Sequence, residues 1–176
     1  RLRVLLRDYA RREPSHDALA AEFGTLLDDP EDPFRRERLA GHFTASCWLV
    51  SADGQRLLLT HHRKLQRWLQ LGGHADGDRD LAQVALKEAE EESGLSGLVL
   101  EDPAIFDLDK HWIPERKDVP GHWHYDVRFV ILALGGEAFV LSEESLDLAW
   151  RAVTEVAADP ESDESMQRMA RRWLAR

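Results

Sequence analysis

The spacing of apolar and polar residues changes partway along the chain, from helical to alternating. Between Leu2 and Tyr9, apolar residues recur at intervals of three and four, which predicts a helix that ends at a proline. A second helical pattern follows, and Asp32-Pro33 is suited to begin a third, short helix over residues 34–39. We therefore expect residues 1–40 to form a helical extension.

Beyond this extension the apolar residues alternate, which predicts strands. The runs "HFTASCWLVS" and "RLLLTHH" are rich in β-forming residues, and Asp53-Gly54 between them is a strong signal for a tight turn. A further short strand, "RWLQ", leads into a predicted glycine-rich loop that contains Gly72 and Gly73. These patterns predict that residues 41–176 form one main domain.

A capped helix follows the glycines. Asp80 is suited to its N-cap, residues 81–93 form the helix, and Gly94 is suited to end it. The remaining pattern predicts strands at 97–102, 104–109, 124–134 and around Trp150, a long loop at 110–123, and a terminal helix whose apolar stripe is Met166, Met169, Trp173 and Leu174. Interleaved strands and helices predict an α/β or α+β sandwich.

The composition of the chain limits the cellular location and the partners that we expect. The chain has 176 residues, of which 43% are hydrophobic and 32% charged, and its net charge is −10. These values are typical of a soluble globular protein, and we expect it in the cytoplasm, with no membrane association, because no apolar run approaches the ~20 residues of a membrane span. The negative charge disfavours nucleic acid as a partner but permits small phosphorylated ligands when cations mediate the contact.

The single Cys47 lies in an apolar strand, which favours a buried, inert thiol.

The predicted helix carries a group of acids. Glu88, Glu91 and Glu92 stand at positions i, i+3 and i+4, so their carboxylates project from one side. Such a group repels itself unless it is solvated or holds a hard divalent cation such as Mg²⁺ or Mn²⁺. An exposed acidic helix is the alternative, but the adjacent Gly72-Gly73 lets the backbone approach a ligand and favours a metal–phosphate site.

The segment from Gly73 to Leu95 resembles the Nudix box of the Nudix hydrolases. The resemblance implies an α/β fold of the Nudix type, an α/β/α sandwich with a mixed β-sheet. It also implies hydrolysis of a diphosphate linkage in a nucleoside diphosphate joined to another group, with Mg²⁺ or Mn²⁺ as cofactor. By position, the metal-binding and catalytic acids would be Glu88, Glu91 and Glu92, and Gly72 would lend its carbonyl oxygen to a metal.

The chain departs from the family pattern at two positions. Arg79 stands where the family has Glu, and Lys87 stands where it has Arg. Those two positions usually form an ion pair that supports the box, and two cations cannot pair with each other. We therefore expect the support to come from Asp76, Asp78 or Asp80.

Other functional residues are expected outside the box. In this family the catalytic base can come from a later loop, where Glu143 and Glu144 are the candidates, and an exposed loop without a role is the alternative. Cations and flat side chains suit phosphate and base recognition, and each could equally be a surface residue. The substrate-binding candidates are Arg63, Lys64, Arg67, Lys110, Trp112 and Arg116, together with the backbone of Gly73.

Histidines flank the predicted strands and the glycine loop. His122, His124 and Asp126 share one face of a strand, and imidazole with carboxylate is a reasonable shell for a transition metal. The segments "GHFTASCWLVSADGQ" and "GGH" are similar to those of isopentenyl diphosphate isomerase, a resemblance that implies metal binding at His42 and His74. The candidate second metal site is therefore His42, His74, His124 and Asp126, and ordinary structural hydrogen bonds are the alternative.

Three functional classes follow from these observations. The preferred interpretation is a metal-dependent diphosphate hydrolase that acts on a small phosphorylated molecule. An isomerase-like enzyme is the second, although Gly72 occupies the position of that enzyme's catalytic cysteine. The third is a diphosphate-binding module without turnover. The N-terminal helices could cover the active site or build a homodimer.

Overall fold

The computed structural model describes residues 1–63, 65–143 and 145–176, and for Ser145 and Leu146 it describes the backbone alone. The helices are α1 (Leu2–Arg12), a short 3₁₀-helix (Pro14–His16), α2 (Asp17–Leu27), α3 (Leu81–Ser93), α4 (Val153–Ala158) and α5 (Glu164–Leu174). The strands are β1 (Gly41–Ser51), β2 (Arg56–His62), β3 (Arg67–Leu69), β4 (Gly72–His74), β5 (Leu98–Leu100), β6 (Asp107–Ile113), β7 (His122–Ala133) and β8 (Ser145–Ala152).

The strands form one mixed sheet. Its central path runs β3-β2-β1-β7-β5, while β4 pairs with β1, β6 with β7 and β8 with β2. The long β1 and β7 are parallel, and the other pairs are antiparallel. Helices flank the sheet on both sides, which confirms the predicted α/β sandwich with a mixed sheet.

Alternation along β1 divides the interior into two cores. Phe43, Ala45 and Cys47 face the core that includes buried residues of α1, α2 and α3. Trp48 and Val50 face the second core, which includes buried residues of α4 and α5. All five are fully buried, so β1 is covered on both sides at these positions.

The N-terminal helices complete the first core. Tyr9 of α1 and Phe23 of α2 are fully buried, and the Phe23 ring lies edge-on to Tyr125 of β7 at 5.3 Å. Burying such rings stabilises the fold by about 1.5–3 kcal/mol each. Residues 1–40 are therefore packed on the sheet, while their separation as a domain of their own stays a prediction.

The predicted third helix at residues 34–39 is wrong. These residues form turns that lead into β1. The ring of Phe34 packs on the ring of Phe43, with the ring centres 4.9 Å apart. The amide of Phe43 donates to the carbonyl oxygen of Pro33 at 2.8 Å. Tertiary contacts thus override the local helix-start signal.

Two predicted loops are partly strand. Gly72-Gly73 lies in β4 and pairs with β1, where a Cβ on Gly72 would stand 2.5 Å from the carbonyl oxygen of Ala45. The glycine is thus required by the close approach of two strands. The predicted loop at 110–123 is shorter than expected: its first four and last two residues belong to β6 and β7, where Trp112 pairs with Trp123, and residues 114–121 connect the two strands.

The C-terminal helix docks on the second core as predicted. Asp163 caps α5 by accepting from the amide of Met166 at 2.9 Å, and Met166 and Met169 are buried. Trp173 donates to the carbonyl oxygen of Gly54 at 2.7 Å. Leu174 departs from the predicted stripe, because it is 49% exposed at the helix end.

The sequence pattern did not predict the short helix α4 that follows β8.

None of the helices in the described part of the chain has the length and apolar character required to span a membrane.

Candidate active site and histidine cluster

Local contacts fix both ends of α3, the helix that carries the glutamates. Asp80 accepts a hydrogen bond from the amide of Gln83 at 3.3 Å, and Gly94 ends the helix in the left-handed region at φ 68°. Apolar residues between Leu81 and Ala89 are buried in the first core. The helix therefore presents its glutamates at a defined place beside β4.

Two of the predicted carboxylates contact the glycine pair of β4. A Cβ on Gly73 would stand 2.6 Å from the carboxyl carbon of Glu88, so only glycine leaves room for this side chain in its position. The amide of Gly72 donates to Oε1 of Glu92 at 3.3 Å. Both glutamates are half-buried. The fold thus brings Glu88, Glu92 and the Gly72 backbone together.

The third predicted acid, Glu91, lies at the rim of this site. Its side chain is 57% exposed, and its carboxylate is 3.8 Å from Nζ of Lys87. An exposed pair at this distance contributes little to stability. Glu91 can therefore change rotamer at low cost.

Residues before β1 anchor the loop between β4 and α3. Arg36 forms two hydrogen bonds with Asp76, at 2.8 and 2.6 Å, and Arg79 pairs with Asp32 at 3.2 Å. The amide of Gly77 donates to the carbonyl oxygen of Phe34 at 2.7 Å. Of the three predicted aspartates, Asp76 therefore supports the loop, through Arg36, while Arg79 takes its partner Asp32 from the N-terminal segment.

Sequence reasoning missed Arg36. Its hydrogen bonds to Asp76, with the nearby negative charges of Glu37 and Glu88, raise its pKa above the ordinary value. The same hydrogen bonds hold the pKa of Asp76 below its usual range. Arg36 thus places a permanent positive charge near the glutamates. The arginine pair in "FRRERL" was a visible signal, but its role depended on a contact across 40 positions of the chain.

Three histidines meet on the other face of the sheet. His42 of β1 pairs with His124 of β7, and His74 of β4 pairs with Thr44 of β1. One ring nitrogen from each of His42, His74 and His124 lies within 4.8 Å of the other two. We call these three residues the histidine cluster. By alternation along β1 the cluster belongs to the side on which Trp48 lies.

Hydrogen bonds to backbone carbonyls orient the rings. Nδ1 of His42 lies 3.1 Å from the carbonyl oxygen of Arg38, and because a carbonyl only accepts, Nδ1 is the protonated nitrogen. Nε2 of His42 is buried and has no hydrogen-bond partner among the described residues. Nε2 of His124 lies 3.1 Å from Nε2 of His122, whose Nδ1 donates to Pro120.

Burial keeps the cluster neutral. Desolvation, followed by the charge of Arg36, lowers the pKa of His74 to about 4. Desolvation, followed by the neighbouring histidines, lowers the pKa of His124 to about 2. Desolvation also lowers the pKa of His42. Near neutral pH each ring therefore offers an unprotonated nitrogen.

Asp126 belongs to a different group of side chains. Its carboxylate accepts from the hydroxyls of Thr44 at 2.9 Å and Ser46 at 2.7 Å. It also accepts from Nε of the buried Arg128 at 2.9 Å. Although burial opposes the charge of Arg128, the carboxylates of Asp126 and Asp107 raise its pKa. These bonds occupy Asp126, so we leave it out of the histidine cluster.

The predicted substrate-binding side chains that the structure describes lie in two places, at the β6–β7 pair and near β3. Lys110 pairs with Glu22 of α2 at 2.8 Å and lies 4.7 Å from the centre of the Trp123 ring. Trp112 is 52% exposed beside Trp123. These side chains therefore lie on the α2 side of the β6–β7 pair, and Arg116 lies in the turn that connects the two strands.

The candidates near β3 are only partly described. Arg63 is exposed and donates through Nε to the carbonyl oxygen of Glu143 at 3.2 Å, and Arg67 is exposed at the start of β3. Glu143 itself is exposed. Lys64 and Glu144 lie outside the described residues. Their assigned roles remain predictions.

The predicted inert thiol matches its surroundings. Cys47 is fully buried and donates to the carbonyl oxygen of Leu71 at 3.3 Å. Burial, with the charges of Glu92 and Asp126, raises the pKa of Cys47 well above its ordinary value. A thiol that stays protonated is a poor nucleophile.

The sequence matches the family model of the NUDIX domain over residues 41–173. The chain therefore belongs to the NUDIX family, as its motif predicted. The family assignment supports the prediction that the protein is an enzyme, a pyrophosphohydrolase. Among curated proteins, none matches the sequence.

Solved structures share the fold. An Ap4A hydrolase from C. elegans in a binary complex is 16% identical with a TM-score of 0.58, and the match covers 76% of this chain and 95% of that one. The MutT protein from Methanosarcina mazei Go1 is 17% identical with a TM-score of 0.59, covering 84% and 97%. The NUDIX domain of Shewanella oneidensis NrtR, complexed with ADP ribose, is 20% identical with a TM-score of 0.52, covering 88% and 97%.

Proposed function

We propose that the protein is a divalent-metal-dependent hydrolase that cleaves the diphosphate linkage of a nucleoside diphosphate joined to another group. The observation that carries this proposal is the contact of Glu88 and Glu92 with the glycine pair of β4. Half-buried carboxylates beside a strand that tolerates no side chain are suited to a ligand that approaches the backbone closely.

The donor set fits a hard cation. Carboxylate and carbonyl oxygens are the ligands that Mg²⁺ and Mn²⁺ prefer. Glu88, Glu92 and the carbonyl oxygen of Gly72 would hold the metal, and Glu91 would reach it from the rim by a change of rotamer. When bound, such a cation offsets the charge of the diphosphate and makes a bound water more acidic.

The chain's own residues would supply the remaining parts. Glu88 is packed against Gly73, so its carboxylate is held in place to bind metal or to accept a proton from the attacking water. Glu143 and Glu144 remain the alternative bases from the later loop. Arg36 places a permanent positive charge beside Glu88, which favours a negatively charged ligand at this edge of β4.

Small phosphorylated compounds are the proposed substrates. One similar structure is an Ap4A hydrolase, and another holds ADP ribose. Exposed cations at Arg63 and Arg67 are placed to meet phosphate oxygens without first breaking a described ion pair. We therefore expect a substrate with at least two linked phosphates.

A substrate screen tests the proposal. The purified protein is incubated with dinucleoside polyphosphates, nucleotide sugars, dinucleotides and non-nucleotide diphosphates, with Mg²⁺, with Mn²⁺ or with a chelator. We expect products separated by hydrolysis at a phosphorus–oxygen bond, seen by mass spectrometry, and no product with the chelator. Turnover that is unchanged by the chelator would contradict metal dependence.

Matched substitutions on α3 locate the activity. Glu92→Gln keeps the size of the side chain and removes its charge, and we expect activity to fall by about 100-fold to 1,000-fold because several kcal/mol of charge stabilisation are lost. Glu90→Gln, on the exposed face of the same helix, is the control and should keep its activity. Equal activity in the two variants would exclude the proposed role of Glu92.

A further inference from the structure

The histidine cluster has a feature that ordinary structural histidines lack. Nδ1 of His42 donates to the carbonyl oxygen of Arg38, which leaves the lone pair on Nε2. His42 is 3% exposed, and its Nε2 has no hydrogen-bond partner in the described part of the chain. A buried acceptor without a partner has lost its hydrogen bonds to water without a replacement, so binding a ligand at this atom would be favourable.

This arrangement is typical of imidazoles that bind metals. A metal-binding histidine usually donates its other ring N–H to a backbone carbonyl or a carboxylate, which fixes the tautomer and the orientation of the ring. His42 has this bond through Arg38. His124 is oriented by its contact with His122, and His122 in turn donates to Pro120.

The three rings converge from three strands. Their centres are 5.2 Å apart for His42 and His74, 5.2 Å for His42 and His124, and 5.1 Å for His74 and His124. One nitrogen from each ring lies within 4.8 Å of the others. Nitrogen–metal bonds of about 2.0–2.1 Å require these atoms to be closer, and small χ rotations at the half-buried His74 and His124 can bring them together.

We propose that His42, His74 and His124 form a metal centre for a borderline divalent transition metal of the Zn²⁺ class, on the opposite face of the sheet from the glutamates of α3. Three neutral nitrogen donors select such a metal over Mg²⁺, which prefers oxygen. Three protein ligands also leave a coordination position open to water or to a ligand from solvent. The proposal does not depend on the hydrolase activity.

The two kinds of site can be separated by their metal preference. Tag-free protein is stripped with a chelator, dialysed, and titrated with Zn²⁺ by calorimetry in excess Mg²⁺, so that Mg²⁺ occupies the carboxylates. Co²⁺ is titrated in parallel, because its visible absorption reports nitrogen ligands in a site of low coordination number. We expect one tight Zn²⁺ site for each chain and a visible Co²⁺ band.

Substitutions test the ligands. His42→Asn retains a donor for the carbonyl oxygen of Arg38 but lacks Nε2, and His124→Gln retains a group that can reach His122. We expect each to weaken Zn²⁺ binding by about 100-fold or more, because even partners of metal ligands contribute about 10–100-fold. Zn²⁺ should raise the Tm of the wild-type protein and not that of His42→Asn.

Controls decide between the outcomes. His61→Asn, on β2 outside the cluster, and Glu92→Gln should both bind Zn²⁺ as the wild-type protein does. If Glu92→Gln loses the Zn²⁺ site and His42→Asn keeps it, the metal is on the glutamates and the proposal is wrong. If the wild-type protein binds no Zn²⁺ in excess Mg²⁺, the proposal is also wrong. Circular dichroism of each metal-free variant shows whether it has folded, and Zn²⁺ titration of His74→Gln repeats the test at the third ligand.

Discussion

The glutamates of α3 and the histidine cluster contrast in how the chain builds them. Glu88, Glu91 and Glu92 lie within five positions of one helix, and they are half-buried or exposed. His42, His74 and His124 come from three strands, and they meet only through the register of β1 with β4 and β7. The first group is local to one helix, whereas the second is assembled by the sheet from distant parts of the chain.

The short strand β4 joins the two groups. Gly73 makes room for Glu88 on the side of the first core, and the next residue, His74, belongs to the cluster on the other side. Arg36 contributes charge to both, because its positive charge acts on Glu88 and also lowers the pKa of His74. A helix can display a charged group by its sequence period alone, but a buried group requires strands brought together from distant positions.

The histidine cluster should make the stability of the fold depend on pH, and this is the largest effect that we expect on stability. Folded His74 and His124 have pKa values of about 4 and about 2, below the ~6.5 of an unfolded histidine. The unfolded state therefore binds more protons as the pH falls below ~6.5. The metal-free protein should lose about 2 kcal/mol of unfolding free energy for each histidine between about pH 7 and pH 5.

Urea unfolding in the presence of a chelator measures this slope. His124→Gln should lose about 2 kcal/mol less than the wild-type protein over the same pH range. Between about pH 7 and pH 8 the histidine contribution should be flat for both proteins, which serves as an internal control. If the two proteins show the same slope below neutral pH, the cluster does not hold His124 in its neutral form.

Replacing each of the two glycines of β4 by alanine should affect different properties, stability at Gly72 and activity at Gly73. A Cβ on Gly72 meets backbone atoms, the carbonyl oxygen of Ala45 at 2.5 Å and Cα of Ser46 at 2.7 Å, which cannot yield without moving a strand. Gly72→Ala should therefore destabilise the fold by about 1–3 kcal/mol.

Gly73→Ala should affect activity more than stability. Its Cβ meets the flexible end of Glu88, which can swing away, and a carboxylate displaced by about 1 Å can cost about 100-fold in rate. Urea unfolding and turnover of the best substrate are measured for both variants. Gly24→Ala is a third comparison: its Cβ has open space in α2, and the change should stabilise by about 0.5–1 kcal/mol. If Gly73→Ala retains full activity, Glu88 does not require its observed position.

The smallest effect concerns the anchor of the loop between β4 and α3. Arg79 and Asp32 form an exposed pair at 3.2 Å, so we expect a coupling free energy of about 0.2–1 kcal/mol. A double-mutant cycle of Asp32→Asn and Arg79→Gln, followed by urea unfolding, measures this coupling at low and high salt. It should decrease at high salt, because counterions screen exposed pairs. Coupling of Arg79 with Asp80 in place of Asp32 would contradict the observed pair.

Local signals predicted the elements whose ends are fixed by neighbouring residues. Helix α3 was predicted over 81–93, between Asp80 and Gly94, and these bounds agree with the structure because an N-cap and a left-handed C-cap act over a few residues. Strand β2 was likewise predicted at 56–62. The short helix predicted after Asp32-Pro33 does not form, because burial of Phe34 and the salt bridge of Arg36 with Asp76 outweigh a weak local preference.

Pairing between distant segments produced the other differences. The strand character of Gly72-Gly73 could not be predicted from two glycines, since it arises from hydrogen bonding to β1. The extension of β6 to Ile113 likewise comes from its pairing with β7. For the site, the motif predicted which glutamates to consider, while the positions of Arg36 and Asp32 depended on a segment about 40 residues away.

By itself, the sequence determined the family and the acidic helix. Both depend on residues that are close together in the chain and whose spacing follows the period of one helix. For His42, His74 and His124 it left two alternatives open, metal binding and ordinary structural hydrogen bonds. The tertiary structure decided which side chains are in contact: Glu88 and Glu92 with the glycines, Asp126 with Arg128, and the three histidines with one another. Such meetings depend on strand register and on burial, which are properties of the whole folded sheet.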